Sequence, residues 1–246
     1  MAYDYIGIVN DINRRLNEVE LTGGTGTNAN FLTATGEYSM IKDAVNSAIR
    51  FINQHEYEWP FNHVEETETL TPGLVRYASP TDSKVIDFDS FRIKRNDTLG
   101  NDTKKLRLLS YEEYLEKHSD YEYNTSNTGI RALPEFVFRT PDEGFGIVAP
   151  ADKAYELVYE YYRLPVDLIN DTDVPTVPEQ FRHVIVNGAM HFAYLFRGES
   201  QEAVMMQTKF ETEIKQMRSL YINRYDYARS TVVNRGNVSY NTIQVN

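Results

Sequence analysis

The sequence predicts an α+β protein in which both ends of the chain build an antiparallel helical bundle. A β-rich domain of barrel or sandwich type is inserted in this bundle, and an extended arm follows it. Apolar residues recur at helical spacing near both ends, whereas the middle of the chain alternates between apolar and polar residues. We therefore assign residues 1–60 and 174–228 to the bundle, 61–173 to the β-rich domain and 229–246 to the C-terminal arm.

The composition is ordinary for a globular protein but strongly acidic. Of 246 residues, 41% are hydrophobic and 25% are charged, and the formal net charge is −11. This charge argues against a protein that grips nucleic-acid phosphates over a broad surface. The absence of cysteine excludes disulfides, thiolate metal sites and cysteine nucleophiles. No apolar run reaches the roughly 18 residues of a membrane span, and the first residues lack a signal-peptide pattern.

Two helices are predicted before residue 60. The apolar stripe of the first helix consists of Ile8, Val9, Ile12, Leu16 and Val19. This helix ends in LTGGTGTNAN, whose Gly, Thr and Asn residues are typical of a loop. The second helix is predicted over about residues 37–55 and ends before Trp59-Pro60, because proline disfavours helix in the preceding residue. Its apolar stripe consists of Ile41, Ala44, Val45, Ala48, Phe51 and Ile52.

The middle of the chain is predicted to form strands that one short helix interrupts. Strand-like alternation is found in VEETETL, LVRYASP, SKVIDFDSFRIKR, KLRLL, EFVFRTP and GFGIVAP. The phase of the alternation shifts between Phe88 and Phe91, which indicates a bulge. Ser110 followed by Glu113 is a capping box and predicts the start of the short helix. The last strand is predicted to present one face made of Tyr155, Leu157, Tyr159 and Tyr161.

Two further helices are predicted after the strands. Thr176 with Glu179 forms a second capping-box pattern, and Pro178 is acceptable in a first turn. The apolar stripe of this helix consists of Phe181, Val184, Ile185, Gly188, Phe192 and Leu195. Gly198 is a natural C-terminal cap, and the link at 197–199 is so short that the next helix must return antiparallel. The stripe of that helix consists of Ala203, Met206, Phe210, Ile214, Met217 and Tyr221.

Residues 229–246 differ in composition from the rest of the chain. They contain two arginines and no acidic residue, and they alternate β-branched with polar residues. The segment is too short to build its own core. We therefore expect a partner to order it, for example when it adds a strand to a neighbour.

The strongest candidate for chemistry is DLINDTDVPTVPEQFRHVIVNGA, residues 167–189. Its three aspartates resemble half of a calcium loop, but neither register places glycine at the sixth position or glutamate at the twelfth. Glu179 and His183 have the spacing of two zinc ligands, yet the next histidine, His191, is eight residues beyond His183. The aspartates suit local turns and the positive end of the following helix.

Other catalytic patterns carry little weight. GGTGT at 23–27 follows a helix instead of a strand and lacks the GK[ST] of a phosphate loop. No GxSxG is present, and the paired glutamates are expected on solvated faces of so acidic a chain. We therefore predict no catalytic residue, no metal site, no cofactor and no enzymatic activity.

The segments described above occur in a recognisable order. A tyrosine-rich strand ends in Leu-Pro, an acidic turn follows, and then Val-Pro-Glu precedes a helix that opens with Phe181, Arg182 and His183. Other segments that carry the resemblance are INRRLNEV, EWPF, TPGLVRYASPTD, SYEEYLEKH and ALPEFVF with GFGIVAPAD. This order, over most of the chain, resembles the head-to-tail adaptor proteins of short-tailed bacteriophages, the group that includes tail tubular protein A.

The resemblance implies a structural protein of the virion neck or tail that is made in the cytoplasm of the bacterial host. Such a protein forms a ring of twelve copies, docks onto the portal protein and receives the tail nozzle protein. DNA passes through its channel without sequence-specific binding, and no membrane is involved. The resemblance also implies that the arm contacts the portal or a neighbouring copy through Thr231, Val232, Val233, Arg235, Val238, Tyr240, Ile243 and Val245.

Two other classes of function stay open at this point. A virion-associated hydrolase, metal-dependent or wall-degrading, would use the neighbourhood of Asp171, Asp173, Glu179 and His183. A small-ligand or carbohydrate-binding β module would use the aromatic residues of the middle segment, but it leaves the flanking helices unexplained. A metal bound with defined stoichiometry would favour the hydrolase.

Overall fold

The computed structural model describes residues 2–25, 29–56, 58–97, 100–124 and 127–221. Helices and strands each form a large part of these residues, so the predicted α+β class is confirmed. The predicted arm, residues 229–246, lies outside the described residues. The division of the chain into domains at residues 60/61 and 173/174 remains our proposal.

The long helices lie towards the two ends of the chain. The helices are α1 (Tyr5–Arg15), α2 (Glu37–His55), α3 (Tyr111–Lys117), α4 (Asp120–Tyr123), α5 (Arg182–Arg197) and α6 (Ser200–Tyr221). Asp4 caps α1, because its carboxylate accepts a hydrogen bond of 2.9 Å from the amide of Gly7. Gly198 ends α5 in the left-handed conformation with φ +80°, as predicted.

Side chains from α1, α2, α5 and α6 share one buried cluster. The ring of Phe210 on α6 lies 5.2 Å from that of Phe51 on α2. Trp59 is fully buried in the same cluster, and its indole nitrogen donates a 2.8 Å hydrogen bond to the carbonyl of Ile52. Further members of the cluster are Ile8, Val9, Ile12, Ala44, Val45, Ala48, Val184, Ile185, Ala189 and Met217. These residues belong to the predicted apolar faces of the helices or lie beside them.

Three predictions about the helix ends are wrong. Helix α1 ends at Arg15, so Val19 lies beyond it and is 72% exposed. Leu195 falls on the outer side of α5 and is 48% exposed. The capping box of Thr176 and Glu179 does not form: Glu179–Phe181 is a 3-10 turn, and among the described residues no side chain caps this turn or the start of α5. Pro178 precedes this turn in an extended conformation.

The strands form two sheets. They are β1 (His63–Thr69), β2 (Arg76–Tyr77), β3 (Ser83–Asp97), β4 (Gly100–Lys105), β5 (Arg107–Leu109), β6 (Phe136–Arg139), β7 (Phe145–Val148) and β8 (Glu156–Arg163). The strand order is β1-β8-β3-β4 in the first sheet and β2-β7-β6-β5 in the second. Only β5 and β6 pair in parallel among the pairs described. The register of β3 against β8 shifts between Asp87 and Arg92, which confirms the predicted bulge.

Aromatic side chains from both sheets meet in a second buried cluster. Phe91 of β3 stacks on Tyr159 of β8 with 4.9 Å between ring centroids. Phe145 of β7, in the other sheet, approaches Phe91 edge-on at 5.1 Å. The predicted shared face of the last strand is confirmed, because Tyr155, Leu157, Tyr159 and Tyr161 are all buried in this cluster.

The short helix α3 covers the outer side of the second sheet. The ring of Tyr114 stacks on Phe138 of β6 with 3.8 Å between centroids, and both rings are fully buried. The hydroxyl of Ser110 accepts a 3.2 Å hydrogen bond from the amide of Glu113, so the first predicted cap is confirmed.

Candidate functional site

The segment that joins β8 to α5, residues 164–178, contains the aspartates that the sequence singles out, and we call it the crossover. Its first aspartate, Asp167, forms a two-point ion pair with Arg50 of α2, in which Nε and Oδ1 lie 2.8 Å apart. The side chain of Asn46, one turn earlier, donates to the carbonyl of Leu168 at 3.1 Å and accepts from its amide at 3.0 Å. The crossover is therefore attached to α2 at two consecutive residues.

The other two aspartates hold backbone groups. The carboxylate of Asp173 accepts hydrogen bonds from the amides of Ile169 at 2.8 Å and Asn170 at 2.7 Å, which closes a tight loop. These bonds hold the pKa of Asp173 below its ordinary value. The carboxylate of Asp171 accepts a 2.6 Å hydrogen bond from the amide of Gly24, in the loop after α1.

The crossover also completes the start of α1. The first amides of a helix have no partner inside the helix. Here the amide of Tyr5 donates to the carbonyl of Asp173 at 2.8 Å, and the amide of Ile6 donates to the carbonyl of Asp171 at 3.1 Å. The hydroxyl of Tyr3 donates to the carbonyl of Val177. The N-terminal end of α1 is thus bonded to a segment that follows it by more than 160 residues.

Arg182, the first residue of α5, joins the same junction. Its guanidinium donates to the carbonyls of Ala2 and Gly7, both at 2.9 Å, and lies 2.5 Å from the carboxylate of Asp11. The side chains of Arg182 and Asp11 are only 17% and 20% exposed. One cation therefore links α5 to three places along the N-terminal segment.

Exposed apolar side chains lie along the outer side of the crossover. Val166 and Ile169 are 70% and 68% exposed, which is unusual for large apolar residues so close together. A groove of about 250 Å³, lined by Val166 and Val174, lies between the crossover and Ile49 of α2. We call this surface the crossover patch; its members are Leu164, Val166, Ile169 and Val174.

A second exposed apolar surface lies where α5 turns into α6. Arg197, the last residue of α5, pairs with Glu18 at 2.9 Å and Glu37 at 3.1 Å. The length of α5, 16 residues, places the two ends about 24 Å apart. The surface is therefore separate from the crossover, which lies at the other end of α5. We call it the hairpin patch; its members are Leu195, Phe196, Val204 and Met205.

Two distinct apolar surfaces of this kind are typical of a protein that contacts more than one partner surface. A sequence profile built for SU10 adaptor proteins matches residues 3–236. The chain belongs to the SU10 adaptor protein family. Membership supports a bacteriophage adaptor with a structural role, and therefore supports a location in the virion. A search of curated proteins finds no match to the chain.

In this adaptor the crossover aspartates serve the fold. Asp171 and Asp173 accept hydrogen bonds from backbone amides, as described above. Across the described parts of the chain, no group of three or more His, Asp or Glu side chains is placed to hold a metal ion. The family match gives no support to the hydrolase. The phosphate-loop interpretation of residues 23–27 also loses support, because a carboxylate, that of Asp171, contacts the amide of Gly24.

The histidines of α5 do not form a common site in the adaptor. His183 lies near the ring of Phe181 at 6.4 Å, whereas Nδ1 of His191 lies 2.8 Å from the carbonyl of Ala203 in α6. His191 therefore connects the two helices near the hairpin patch. Within the described residues, no helix is both long enough and apolar enough to cross a membrane.

The sequence-predicted contact residues of the arm, from Thr231 to Val245, lie outside the described residues.

Sequence reasoning missed both apolar patches and the junction of Arg182. The crossover patch has a local signal that can be recognised afterwards: large apolar residues alternate with aspartates and prolines between two elements, where loops are usually polar. The junction of Arg182 has no local signal, because Ala2, Gly7 and Asp11 are distant from it in sequence.

We expect the free energy of unfolding of Asp173→Asn to fall less at acid pH than that of the wild-type adaptor. The amides of Ile169 and Asn170 hold the pKa of Asp173 below its ordinary value of 3.8. The folded protein therefore binds this proton less tightly than the unfolded chain does. The stability that the carboxylate contributes is present above pH 3.8 and is lost as the pH falls through the lower pKa of the folded state.

The measurement is urea unfolding from neutral pH down to about pH 3. The wild-type chain should lose more free energy of unfolding over the acid part of this range than Asp173→Asn does. Asp152→Asn, at an exposed aspartate, is the matched control and should follow the wild type. Parallel curves for the wild type and Asp173→Asn would contradict the role of these two hydrogen bonds.

Proposed function

We propose that this adaptor is a non-enzymatic ring subunit that connects the portal of a filled phage capsid to the tail nozzle. The observation that carries the proposal is the family match over residues 3–236. The order of sequence segments that resembles tail tubular protein A supports the finer assignment to the neck of a short-tailed virion. On this proposal the subunit is made in the host cytoplasm and then assembles on the portal.

The two apolar patches support a ring. Copies related by rotation about a ring axis contact each other through two different surfaces, one on each side of the subunit. The crossover patch and the hairpin patch consist of different residues and lie at opposite ends of α5, so they are suited to unlike contacts. A ring of twelve copies is the number that the resemblance implies.

The acidic composition supports passage of DNA through the ring. With a net charge of −11, each subunit contributes repulsion between a channel wall and DNA phosphates. Repelled DNA forms few lasting contacts with the wall and slides through it. We therefore propose that the channel binds no DNA sequence specifically.

The arm is the part of the chain that we propose to contact the portal or a neighbouring copy. Residues 229–246 have no acidic residue, so their charge differs from that of the rest of the subunit. The proposed contact residues are Thr231, Val232, Val233, Arg235, Val238, Tyr240, Ile243 and Val245.

Deletion of residues 229–246 is expected to abolish assembly on the portal while the subunit stays folded. The measurement is the mass of the purified adaptor, alone and mixed with the portal protein, by native mass spectrometry. The matched control replaces the same residues by a Gly/Ser sequence of equal length, which keeps the chain length but removes the side chains. Both variants should keep the circular dichroism spectrum of the folded wild type and should fail to bind. Portal binding by the deleted chain would contradict the proposed role of the arm.

A further inference from the structure

The first sheet has an unpaired strand edge at β1. In the order β1-β8-β3-β4, β8 is the one strand that pairs with β1 among the described residues. Alternate amides and carbonyls along the other side of β1 accordingly have no strand beside them, and among the described residues none donates to or accepts from them. An unpaired edge of 7 residues can pair with another extended segment unless something covers it.

The inner face of this edge is strongly acidic. Glu66 and Glu68 are half-buried and lie opposite Tyr159 and Leu157 of β8. Together with Asp82 they border a groove of about 500 Å³ between β1 and the loop before β3. Burial raises the pKa of Glu68 above its ordinary value, and the negative charge of the neighbouring Glu66 adds a smaller increase. Two carboxylates are therefore held near each other on a face where a positive charge would stabilise them.

The described part of the chain stops near the start of β1. The ring of Tyr221, at the end of α6, lies 6.3 Å from that of Phe61, which precedes β1 by two residues. The ring centroids of Phe181 and Tyr221 lie 5.3 Å apart. The hydroxyl of Tyr221 accepts a 2.9 Å hydrogen bond from the side chain of Gln180. The last described residue, Tyr221, therefore lies close to the segment that leads into β1.

The length and charge of the following residues match the edge. Residues 222–228 span up to about 24 Å when extended, and β1 is also about 24 Å long. Residue 229 can thus reach any position along β1. In an extended segment Arg229, Thr231, Val233 and Arg235 face one side. No acidic residue follows Arg229 to oppose its approach to the carboxylates.

We propose that the edge of β1 is the docking site of residues 229–246 of the same chain. In this contact the segment adds a strand beside β1 and directs Arg229 or Arg235 into the groove towards Glu66 and Glu68. Inward-facing carboxylates at a sheet edge oppose the addition of neutral or acidic strands. The edge therefore selects a strand that carries arginine. This inference goes beyond the proposed function, because the contact is intramolecular and needs no portal.

Hydrogen–deuterium exchange of the peptide that covers residues 63–69 tests the proposal on the isolated full-length chain. The comparison is with a chain that ends at residue 228. We expect amides of β1 to exchange at least about tenfold more slowly in the full-length chain, because a hydrogen-bonded amide exchanges only after local opening. Exchange in α5 should be the same in both chains, which shows that the fold is intact.

Matched charge variants locate the contact. Glu66→Gln and Glu68→Gln each remove one carboxylate from the inner face and should speed exchange in β1. Glu65→Gln removes the same charge from the exposed opposite face and should leave exchange unchanged. Equal acceleration by all three substitutions would overturn the role of the groove.

Two further outcomes would overturn the proposal. One is equal exchange of β1 in the full-length and shortened chains. The other is protection that disappears when the full-length protein is diluted about a hundredfold, because an intramolecular contact is independent of concentration. Neither outcome depends on the portal, so the result is distinguishable from failure of the arm to bind the portal.

Discussion

Arg182→Met is expected to lower the free energy of unfolding by about 3 kcal/mol, the low end of the cost of breaking a buried ion pair. The substitution keeps much of the aliphatic length of the side chain. It leaves the carbonyls of Ala2 and Gly7 without the guanidinium, whereas the carboxylate of Asp11 keeps Arg14 as a partner. The low end applies because the pair is 17% and 20% exposed and water can partly replace it.

Urea unfolding followed by circular dichroism measures the change. Arg50→Met is the matched control, since it removes an arginine that pairs with a crossover aspartate but is 55% exposed. An exposed pair contributes about 1 kcal/mol or less. If the two variants lose equal stability, Arg182 does not hold the junction in the way that its contacts indicate.

Gly188→Leu is expected to lower the free energy of unfolding by about 3 kcal/mol, the upper part of the usual range for overpacking a core. A Cβ atom at position 188 would lie 2.5 Å from Cε2 and Cζ of Phe210. These ring atoms are buried between α5 and α6, so the larger leucine side chain must displace α6. The hairpin patch, which both helices build, should change shape as a result.

A double-mutant cycle with Phe210→Ala tests this interpretation by urea unfolding. Phe210→Ala alone should cost about 3 to 5 kcal/mol, because it empties a buried site. Since leucine at 188 can occupy part of that space, the double variant should lose at least about 1 kcal/mol less than the sum of the single variants. Strict additivity would show that Gly188 and Phe210 do not compete for the same space.

The parts of the fold that sequence predicts well carry local signals. The sequence predicts helix α2 over about residues 37–55, and the helix spans Glu37–His55. Its apolar stripe continues over several turns, and Trp59-Pro60 follows it. The cap at Ser110 and the end at Gly198 are also local, because the partner atoms lie within a few residues. All the residues that form each of these signals lie within a short stretch of sequence.

The errors occur where the residue types suit a helix but the backbone is not helical. Val19 continues the apolar spacing of α1, but Arg15 is the last helical residue and the chain turns away there. The Thr176–Glu179 pattern has the right residue types, yet α5 begins only after a 3-10 turn. The bonds between α1 and the crossover, and the parallel pairing of β5 with β6, join residues that no local periodicity relates.

The sequence predicts that the protein is structural, but it does not predict which residues form the exposed surfaces. The predicted architecture, the absence of a catalytic pattern and the arm-like tail favour a structural protein, and the family match supports that role. The crossover and hairpin patches depend on which apolar residues stay uncovered after folding. Sequence spacing assigned Leu195 to the core, whereas the structure leaves it 48% exposed beside Phe196.

The junction between the start of α1 and the crossover has a consequence for biosynthesis. The hydroxyl of Tyr3 bonds to a carbonyl 174 residues later in the chain. At ordinary ribosomal rates of about 5–20 residues per second, that partner is translated about 9 to 35 s after the tyrosine. Helix α1 therefore cannot make its contacts with the crossover until most of the polypeptide has been translated. A nascent chain therefore cannot acquire the finished crossover surface until most of its length has been translated.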